Sequence, residues 1–357
     1  MHDGGVVIYD GCGNAGGQTA GVSAIVVTYW TGPTLAECLD ALIRQPEIGQ
    51  IIVVDNGNPP ETKAWLRHVG QGEPRIRIED PGRNLGFSVG CNLGAGHAGG
   101  DYIALVNPDL VVPDGAMAAF LDVFRRHEGV WLCGGRLEHP DGSEQRGGRR
   151  QILSPWRAFV ELTRLDRIFP RISLFSRLHL HETAERADVH EVPTVSGAFM
   201  IIPRRLYQRL GGMDDNMFMH FEDADLCVRI RQLGGKVYYC GNVPLRHYLS
   251  TSDASRLFVE WHKTRSTSYY FHKHFFHDYP VWVLLVTSAA LWVRFFMMAP
   301  LLLIRDGSGI LRRWRRRGWL SGQYRETGVR PVVGVLASGG FAPRHPPPKA
   351  GGPLETI

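Results

Sequence analysis

Apolar positions in this chain fall into short β-branched runs that alternate with stretches of helical spacing. SAIVVTYW (23 to 30) is a continuous apolar run ending in a turn, and TLAECLDALIRQ (34 to 45) follows with Leu35, Leu39 and Leu42 on one helical face. QIIVVDNG (50 to 57) is a second buried strand stopped by Asp-Asn-Gly, and DYIALVNPDLVV (101 to 112) is a third, interrupted by Asn-Pro. Strands alternating with helices predict an α/β fold with a mostly parallel sheet. Ligands of such sheets gather at the carboxyl ends of strands, where Tyr29, Asp55 and the Asn107 to Asp109 turn would meet.

The pattern weakens between 136 and 190, where RAFVELTRLDRIFPRISLFSRL (157 to 178) mixes Arg with Leu, Ile and Phe and reads as an insertion. It returns at VPTVSGAFMIIP from 192. FEDADLCVRIRQLGG (221 to 235) predicts a helix with acidic residues at its start, a stripe of Leu226, Ile230 and Leu233, and a glycine stop. VWVLLVTSAALWVRFFMMAPLLLI (281 to 304) is long enough to cross a bilayer, which takes roughly 20 residues. The tail from about 320 is rich in Gly, Pro and Arg and cannot bury enough apolar area to fold alone.

Composition narrows this little. With 357 residues, 44% hydrophobic and 21% charged, the chain has the make-up of a globular enzyme and not of a polytopic membrane protein. The net charge of +5 is unevenly spread, since Arg312, Arg313, Arg315, Arg316 and Arg317 follow directly on the apolar stretch. The six cysteines form no CxxC pair or Cys/His ligand spacing, so they read as reduced, packed thiols. The first residues lack a basic start and an apolar core, which argues against a secretory signal and for a cytoplasmic bulk.

Three constellations could carry chemistry. Asp55 closes a buried strand, where its carboxylate could accept a hydrogen bond from a pyrimidine imide or simply cap a turn. Asn107-Pro108-Asp109 sets a carboxylate just past a strand, suited to a divalent cation already held by phosphate oxygens, although Asn-Pro also starts ordinary turns. His247 could add an imidazole nitrogen. Glu222, Asp223 and Asp225 crowd a helix start: one could be a general base toward an acceptor hydroxyl, while the helix dipole alone favours acids there.

In this order, SAIVVTYW, IIVVDNG, RNLGFSVGCNLG, GDYIALVNPD, VSGAFMI, GGMDDNMFMHFEDADLCVRI and the later His247 resemble the family 2 glycosyltransferases over about 22 to 275. The resemblance is to the bacterial rhamnosyltransferase-like branch, whose members typically transfer rhamnose from dTDP-rhamnose to lipid-linked or polysaccharide acceptors. It implies a GT-A, Rossmann-like domain over 21–255, with 136–190 as insertion or acceptor region, between a flexible leader (1–20) and apolar or amphipathic helices (256–319). A disordered tail (320–357) closes the chain.

The same resemblance implies an inverting transferase dependent on a divalent metal, Mn2+ or Mg2+. Thr28, Tyr29, Asp55, Arg83, Asn84, Gly86 and Asn107 would bind the nucleotide sugar, Asp109 and His247 the metal. Asp223 would be the catalytic base, while Ser196, Gly197 and Glu222 would border sugar and acceptor. Asn107 departs from the Asp-x-Asp pattern of many relatives. That substitution keeps open a noncatalytic nucleotide- or carbohydrate-binding protein, and the sugar could also be a hexose or N-acetylhexosamine from a UDP donor.

Basic residues lie on both sides of the apolar stretch: Arg256, Lys263, Arg265 and Lys273 before it and the arginine cluster after it. Arg294 and Pro300 interrupt the stretch, a cost that its Leu, Phe, Trp and Val could offset in a span, but the positive-inside tendency would keep both ends on the cytoplasmic side, predicting an in-plane or re-entrant helix more than a span. Tryptophans 282, 292, 314 and 319 suit an interface, and arginines attract anionic headgroups. A helical hairpin buried in a soluble dimer is the alternative. No nucleic-acid module or aromatic-studded basic groove is present, so no nucleic-acid partner is expected.

Overall fold

The computed structural model describes residues 21–163, 168, 178–180, 188–249, 252 and 254–326, with side chains of the last helix described as far as Asp306. The expected leader, most of the tail, much of 157–178 and the side chains of the arginine cluster, Trp314 and Trp319 lie outside what is described.

In chain order the elements are β1 (Val22–Thr28), α1 (Thr34–Ile43), β2 (Ile48–Asp55), α2 (Pro60–Gly72), β3 (Ile76–Glu79), α3 (Phe87–Gly96) and β4 (Tyr102–Val106). Next come β5 (Leu110–Val111), α4 (Ala116–Arg126), β6 (Val130–Glu138), β7 (Arg149–Arg150), α5 (Pro155–Thr163), β8 (Val189–Glu191), β9 (Thr194–Val195) and β10 (Phe199–Pro203). Then follow α6 (Arg204–Arg209), α7 (Glu222–Gln232), β11 (Lys236–His247), α8 (Arg256–Phe275) and α9 (Val281–Glu326).

Among the described residues the main sheet runs β3-β2-β1-β4-β10-β6-β11-β5, with β8 added to β11, and a small β7-β9 ribbon stands apart. The first four strands pair in parallel, as do β6 and β11, while β10 enters antiparallel between β4 and β6. The mostly parallel, helix-flanked architecture read from the sequence is thus present. The run at 101 to 112 is not one strand, however. Its Asn-Pro break lets the chain leave β4, and β5 pairs with β11 at the opposite end of the sheet.

Burial follows the period of two in β1. Val22, Ala24 and Val26 pack with Leu35, Leu39 and Leu42 of α1 and Phe120 of α4 on one face. Ile25 and Val27 pack with Cys91 and Ala95 of α3 and Leu226 and Ile230 of α7 on the other. Each fully buried side chain of this kind stabilises the fold by about 1.5–3 kcal/mol. Leu233 does not join the α7 stripe: it caps the helix and is 54% exposed, because the chain has already turned toward Gly234. The five described cysteines are free and buried, as packed thiols should be.

A third cluster joins Met217, Ala224 and Val228 to Tyr270 and Phe271 of α8 and Leu284 of α9. Asp225, fully buried, draws α8 in further through Lys273 (2.5 Å) and His274 (2.7 Å), with Arg229 (2.7 Å) beside it. Burial pushes its carboxyl up, but these three partners hold it below the ordinary range. Lys273 also reaches Asp214 at 2.6 Å.

α9 lies antiparallel along α8. Trp261 meets Trp292 and Phe295, Glu260 pairs with Arg294, and the Asp306 carboxylate accepts from Ser255 Oγ (2.6 Å) and the backbone N–H groups of Arg256 and Leu257. Val281–Asp306 has mean hydropathy 1.9, and only 11% of its most apolar window is buried. Its outer face shows Trp282, Val286, Phe296, Met297 and Ile304 to solvent.

Candidate active site

The ends of β1 and β2 build the first part of the site. Asp55 is buried, and its Oδ1 accepts from the N–H of Gly57 (3.2 Å), the N–H of Asn58 (2.8 Å) and Asn58 Nδ2 (2.9 Å). The turn-capping reading of Asp55 is therefore real. Its other oxygen faces Lys63 at 3.7 Å and keeps acceptor capacity. Asn58 also donates to Thr28 O (3.1 Å) and accepts from the Trp30 N–H (2.6 Å), fixing the chain where it leaves β1. The Thr28 hydroxyl is buried against Thr31 at 3.1 Å.

Asn56 staples a second loop to this corner. Its Nδ2 donates to Asn84 Oδ1 (2.9 Å) and Gly86 O (3.0 Å), and its Oδ1 accepts from the Leu85 N–H (2.8 Å). Tyr29 and the Arg83–Asn84 backbone both lie near Gly57, so all of these predicted nucleotide residues share one corner, with the Arg83 side chain exposed. Gly86 has φ +86° and faces Phe218; a Cβ there would stand 2.6 Å from Phe218 O, so only glycine lets these loops close.

Asn107, leaving β4, donates its N–H to Ala198 O at 2.9 Å. Its Nδ2 lies 3.4 Å from His247 Nε2, and Asp109 Oδ1 lies 3.2 Å from the same nitrogen. Asp109 and His247 are both buried, and they meet because β5 pairs with the end of β11. Behind them, Gln145 Oε1 is 2.9 Å from His247 Nδ1, and Gln145 Nε2 donates to His247 O at 2.6 Å. An Nδ1–H donated to Gln145 turns the Nε2 lone pair toward Asp109. A carboxylate and an imidazole lone pair facing each other suit a shared divalent cation, completed by phosphate and water oxygens. Among the described residues no cluster of three or more His, Cys, Asp or Glu could hold a metal without such help.

The three acids of α7 separate. Asp225 belongs to the α8 junction, whereas Asp223 turns to the β9–β10 connection, its Oδ2 accepting from the Gly197 N–H (2.9 Å) and Arg150 Nη2 (2.5 Å). Asp223 Oδ1 accepts from the Ala224 N–H at 2.7 Å. A Cβ on Gly197 would press on Asp223 Cβ at 3.1 Å, so a side chain at that position would push the carboxylate away. Half-buried Ser196 sits alongside and accepts at Oγ from the Ala198 N–H (3.3 Å). Glu222 is buried with one oxygen lacking a partner among the described residues; burial and the neighbouring Asp223 push its carboxyl up to about 8. His220 and Phe221, just before the helix, both adopt left-handed backbone (φ 64° and 70°), a strained entry that non-glycine residues rarely make.

The predicted residues thus form one connected edge, from Asp55 through Gly86 and Phe218 to Asp223, Gly197, Asn107, Asp109 and His247. Gln145, Arg150, Asn56 and Asn58 are the additions that sequence reading missed. The two Asn had a weak signal in the DNGN turn; Gln145 and Arg150 had none.

The chain belongs to glycosyl transferase family 2, whose sequence profile matches residues 23–211, more than half of its length. It is a transferase by family. An N-acetylglucosaminyl-diphospho-decaprenol L-rhamnosyltransferase of Mycobacterium tuberculosis is 27% identical over 250 residues, covering 64% of this chain and 76% of the relative. The rhamnosyltransferase WbbL of Escherichia coli K12 is 24% identical, covering 64% of this chain and 83% of its own. Among solved structures, the mannosyltransferase PcManGT of Pyrobaculum calidifontis in complex with GDP-Man and Mn2+ overlays with a TM-score of 0.49 at 16% identity, over 88% of this chain and 78% of that one.

Proposed function

We propose that this family 2 transferase moves rhamnose from dTDP-rhamnose to a lipid-linked acceptor in cell-envelope glycan synthesis, with inversion at the anomeric carbon. The observation that carries the reading is the edge just described. It holds an acceptor-rich corner for a nucleoside, a carboxylate–imidazole pair for a diphosphate-bound cation, and a buried carboxylate braced by Arg150 and the Gly197 N–H. The rhamnosyl donor and lipid-linked acceptor are taken from the relatives' activities.

In this reading the Asp55 oxygen that faces Lys63 accepts from the base imide, Thr28, Tyr29 and Asn84 border the nucleoside, and Arg83 meets the diphosphate. Asp109 and His247 would hold Mn2+ or Mg2+, which supplies electrostatic stabilisation of the departing diphosphate. Asp223 takes the proton of the acceptor hydroxyl as that oxygen bonds the anomeric carbon and the bond to the nucleoside diphosphate breaks. Arg150 and the Gly197 N–H hold the Asp223 carboxylate in its orientation; neutral Glu222 adds no second negative charge beside it. Ser196 and Gly197 border the sugar and the acceptor.

A membrane surface is the second expected partner, with the site on the cytoplasmic side. What supports an in-plane seat over a span is that α9 is clasped along its apolar stretch to α8, which is itself pinned to the α/β domain through Asp214, Asp225 and the Met219 carbonyl. A spanning α9 would have to tear Arg294 from Glu260 and Asp306 from the start of α8.

Calorimetric titration of dTDP, UDP and GDP, with and without Mn2+, tests the enzyme reading, beside Asp109→Ala. Metal-dependent binding with dTDP preferred, lost in Asp109→Ala, is expected. Preference for UDP would change the sugar, and no nucleotide binding would overturn the reading.

A further inference from the structure

Lys263 has no evident structural employment. On α8 it shares a face with Ser266, which donates to Met219 O at 2.9 Å, and with Tyr270, which packs on Phe221 at 5.4 Å. That face lies along the 217–223 segment leading to Asp223, and the adjoining His262 stacks on Phe218 at 4.1 Å. Lys263 therefore stands over His220, three residues from the proposed base. Both side chains are solvent-exposed, although neighbouring protein desolvates their charged ends. Burial holds the Lys263 ammonium below its usual range and pushes His220 down to about 4, helped there by Lys263 and Arg150 and opposed by Asp223.

Among the described residues Lys263 forms no ion pair within 4 Å, and the carboxylate whose charge it feels, Glu161 of α5, is already bonded to Arg146 (2.5 Å) and His179 (3.4 Å). Arg150, the other cation facing His220, is committed to Asp223. An exposed ammonium with no ion pair among the described residues, beside a neutral imidazole that can donate one N–H, is a donor set for a phosphate oxygen. Across α8 lies α9, with its exposed apolar face. Lys263 thus sits between the proposed chemistry and the surface suited to hydrocarbon.

We infer that Lys263 and His220 form a phosphate subsite for the acceptor, binding the diphosphate that joins its sugar to its lipid while the sugar reaches Asp223 and the chain runs toward α9. This rests on the reading of the chain as a transferase acting on a lipid-linked acceptor. It is separate from the donor diphosphate, which this reading places against Arg83 and Asp109.

The test uses farnesyl diphosphate and farnesol as probes, titrated into full-length protein in detergent micelles with dTDP and Mn2+ at saturation so that the donor site is filled. The wild type is expected to bind farnesyl diphosphate more tightly than farnesol. Lys263→Met and Lys263→Gln should each lose about tenfold or more for the diphosphate, one charge-assisted contact. Farnesol and dTDP binding should be unchanged, and Lys263→Arg should retain most of the affinity. Unchanged farnesyl diphosphate binding in both variants, or a wild type that does not distinguish the two probes, overturns the subsite. Failure of the wild type to bind dTDP overturns the transferase reading instead, and intact dTDP binding by the variants shows that they are folded.

Discussion

Gln145 grips His247 at both ends, its Oε1 2.9 Å from the ring Nδ1 and its Nε2 2.6 Å from the backbone oxygen. Its Nε2 also donates to Glu138 O at 3.2 Å, so the amide is fixed at the end of β6 and its orientation follows from that network. The clamp selects the tautomer whose Nε2 lone pair faces Asp109. An unclamped imidazole would divide its population between tautomers and ring rotations.

Gln145→Ala should therefore weaken Mn2+ binding about 10- to 100-fold, the usual cost of losing the group that orients a ligating histidine. The measurement is a Mn2+ titration by electron paramagnetic resonance in the presence of dTDP. Nitrogen-15 shifts of His247 in metal-free protein provide a second readout, in which the Nδ1–H form should give way in the variant. Unchanged affinity and an unchanged tautomer would show that Gln145 is only packing.

Asp223 and Asp225 lie two residues apart in the same turn but should fail differently. Asp223→Asn is expected to lower sugar transfer by about 10²–10⁴-fold, the range for removing a general base, with nucleotide binding intact. Asp225→Asn should instead cost about 3–5 kcal/mol of stability, because Arg229 and Lys273 lose a buried counter-charge. Urea unfolding beside a transfer assay separates the two; an active Asp223→Asn variant would remove that residue as the base.

The difference between these two acids was not legible in the sequence. FEDAD announces an acidic helix start, but which carboxylate faces Gly197 and which faces Lys273 depends on segments brought together only by the fold. Gln145 and Arg150 show the same limit more sharply, since they act on residues 102 and 73 positions away. Buried polar side chains that join a short hairpin to a distant strand leave no periodicity behind, so a patternless stretch conceals them. Strands such as β1 and β2 were legible because an uninterrupted β-branched run can bury both faces of a strand, and a strand end fixes where its last polar residue lies. Tyr29, Asp55 and the Asn107 to Asp109 turn were expected to meet for that reason.

Glu222 gives the fold a pH dependence. Its carboxyl, ordinarily near 4.5, is pushed up to about 8 by burial and by Asp223, so the folded protein holds a proton that the unfolded chain releases. Where the folded state binds the extra proton, stability falls as pH rises, here between about pH 4.5 and 8. Glu222→Gln should remove this decline: its Tm should exceed that of the wild type at pH 8, and the gap should close toward pH 4.5. Calorimetric scans across that range check the sign, and a gap that widened toward acid would contradict it.

The α8–α9 hairpin makes the last expectation geometric. If α9 lies in the plane of the membrane, its exposed residues enter the bilayer while both of its ends stay on the side of the α/β domain. Each buried aromatic or aliphatic side chain contributes about 1.5–3 kcal/mol, so losing two on the outer face should be decisive. Phe296→Glu with Ile304→Glu is expected to abolish flotation with vesicles containing anionic phospholipid, with nucleotide binding retained. Single cysteines at 277 and 308, in a background freed of native cysteines that still binds nucleotide, should both be labelled by a membrane-impermeant maleimide added outside sealed vesicles. A helix that crossed would protect one of them. That result would require Asp306 to release Ser255 and Arg294 to release Glu260, and would exclude the in-plane seat.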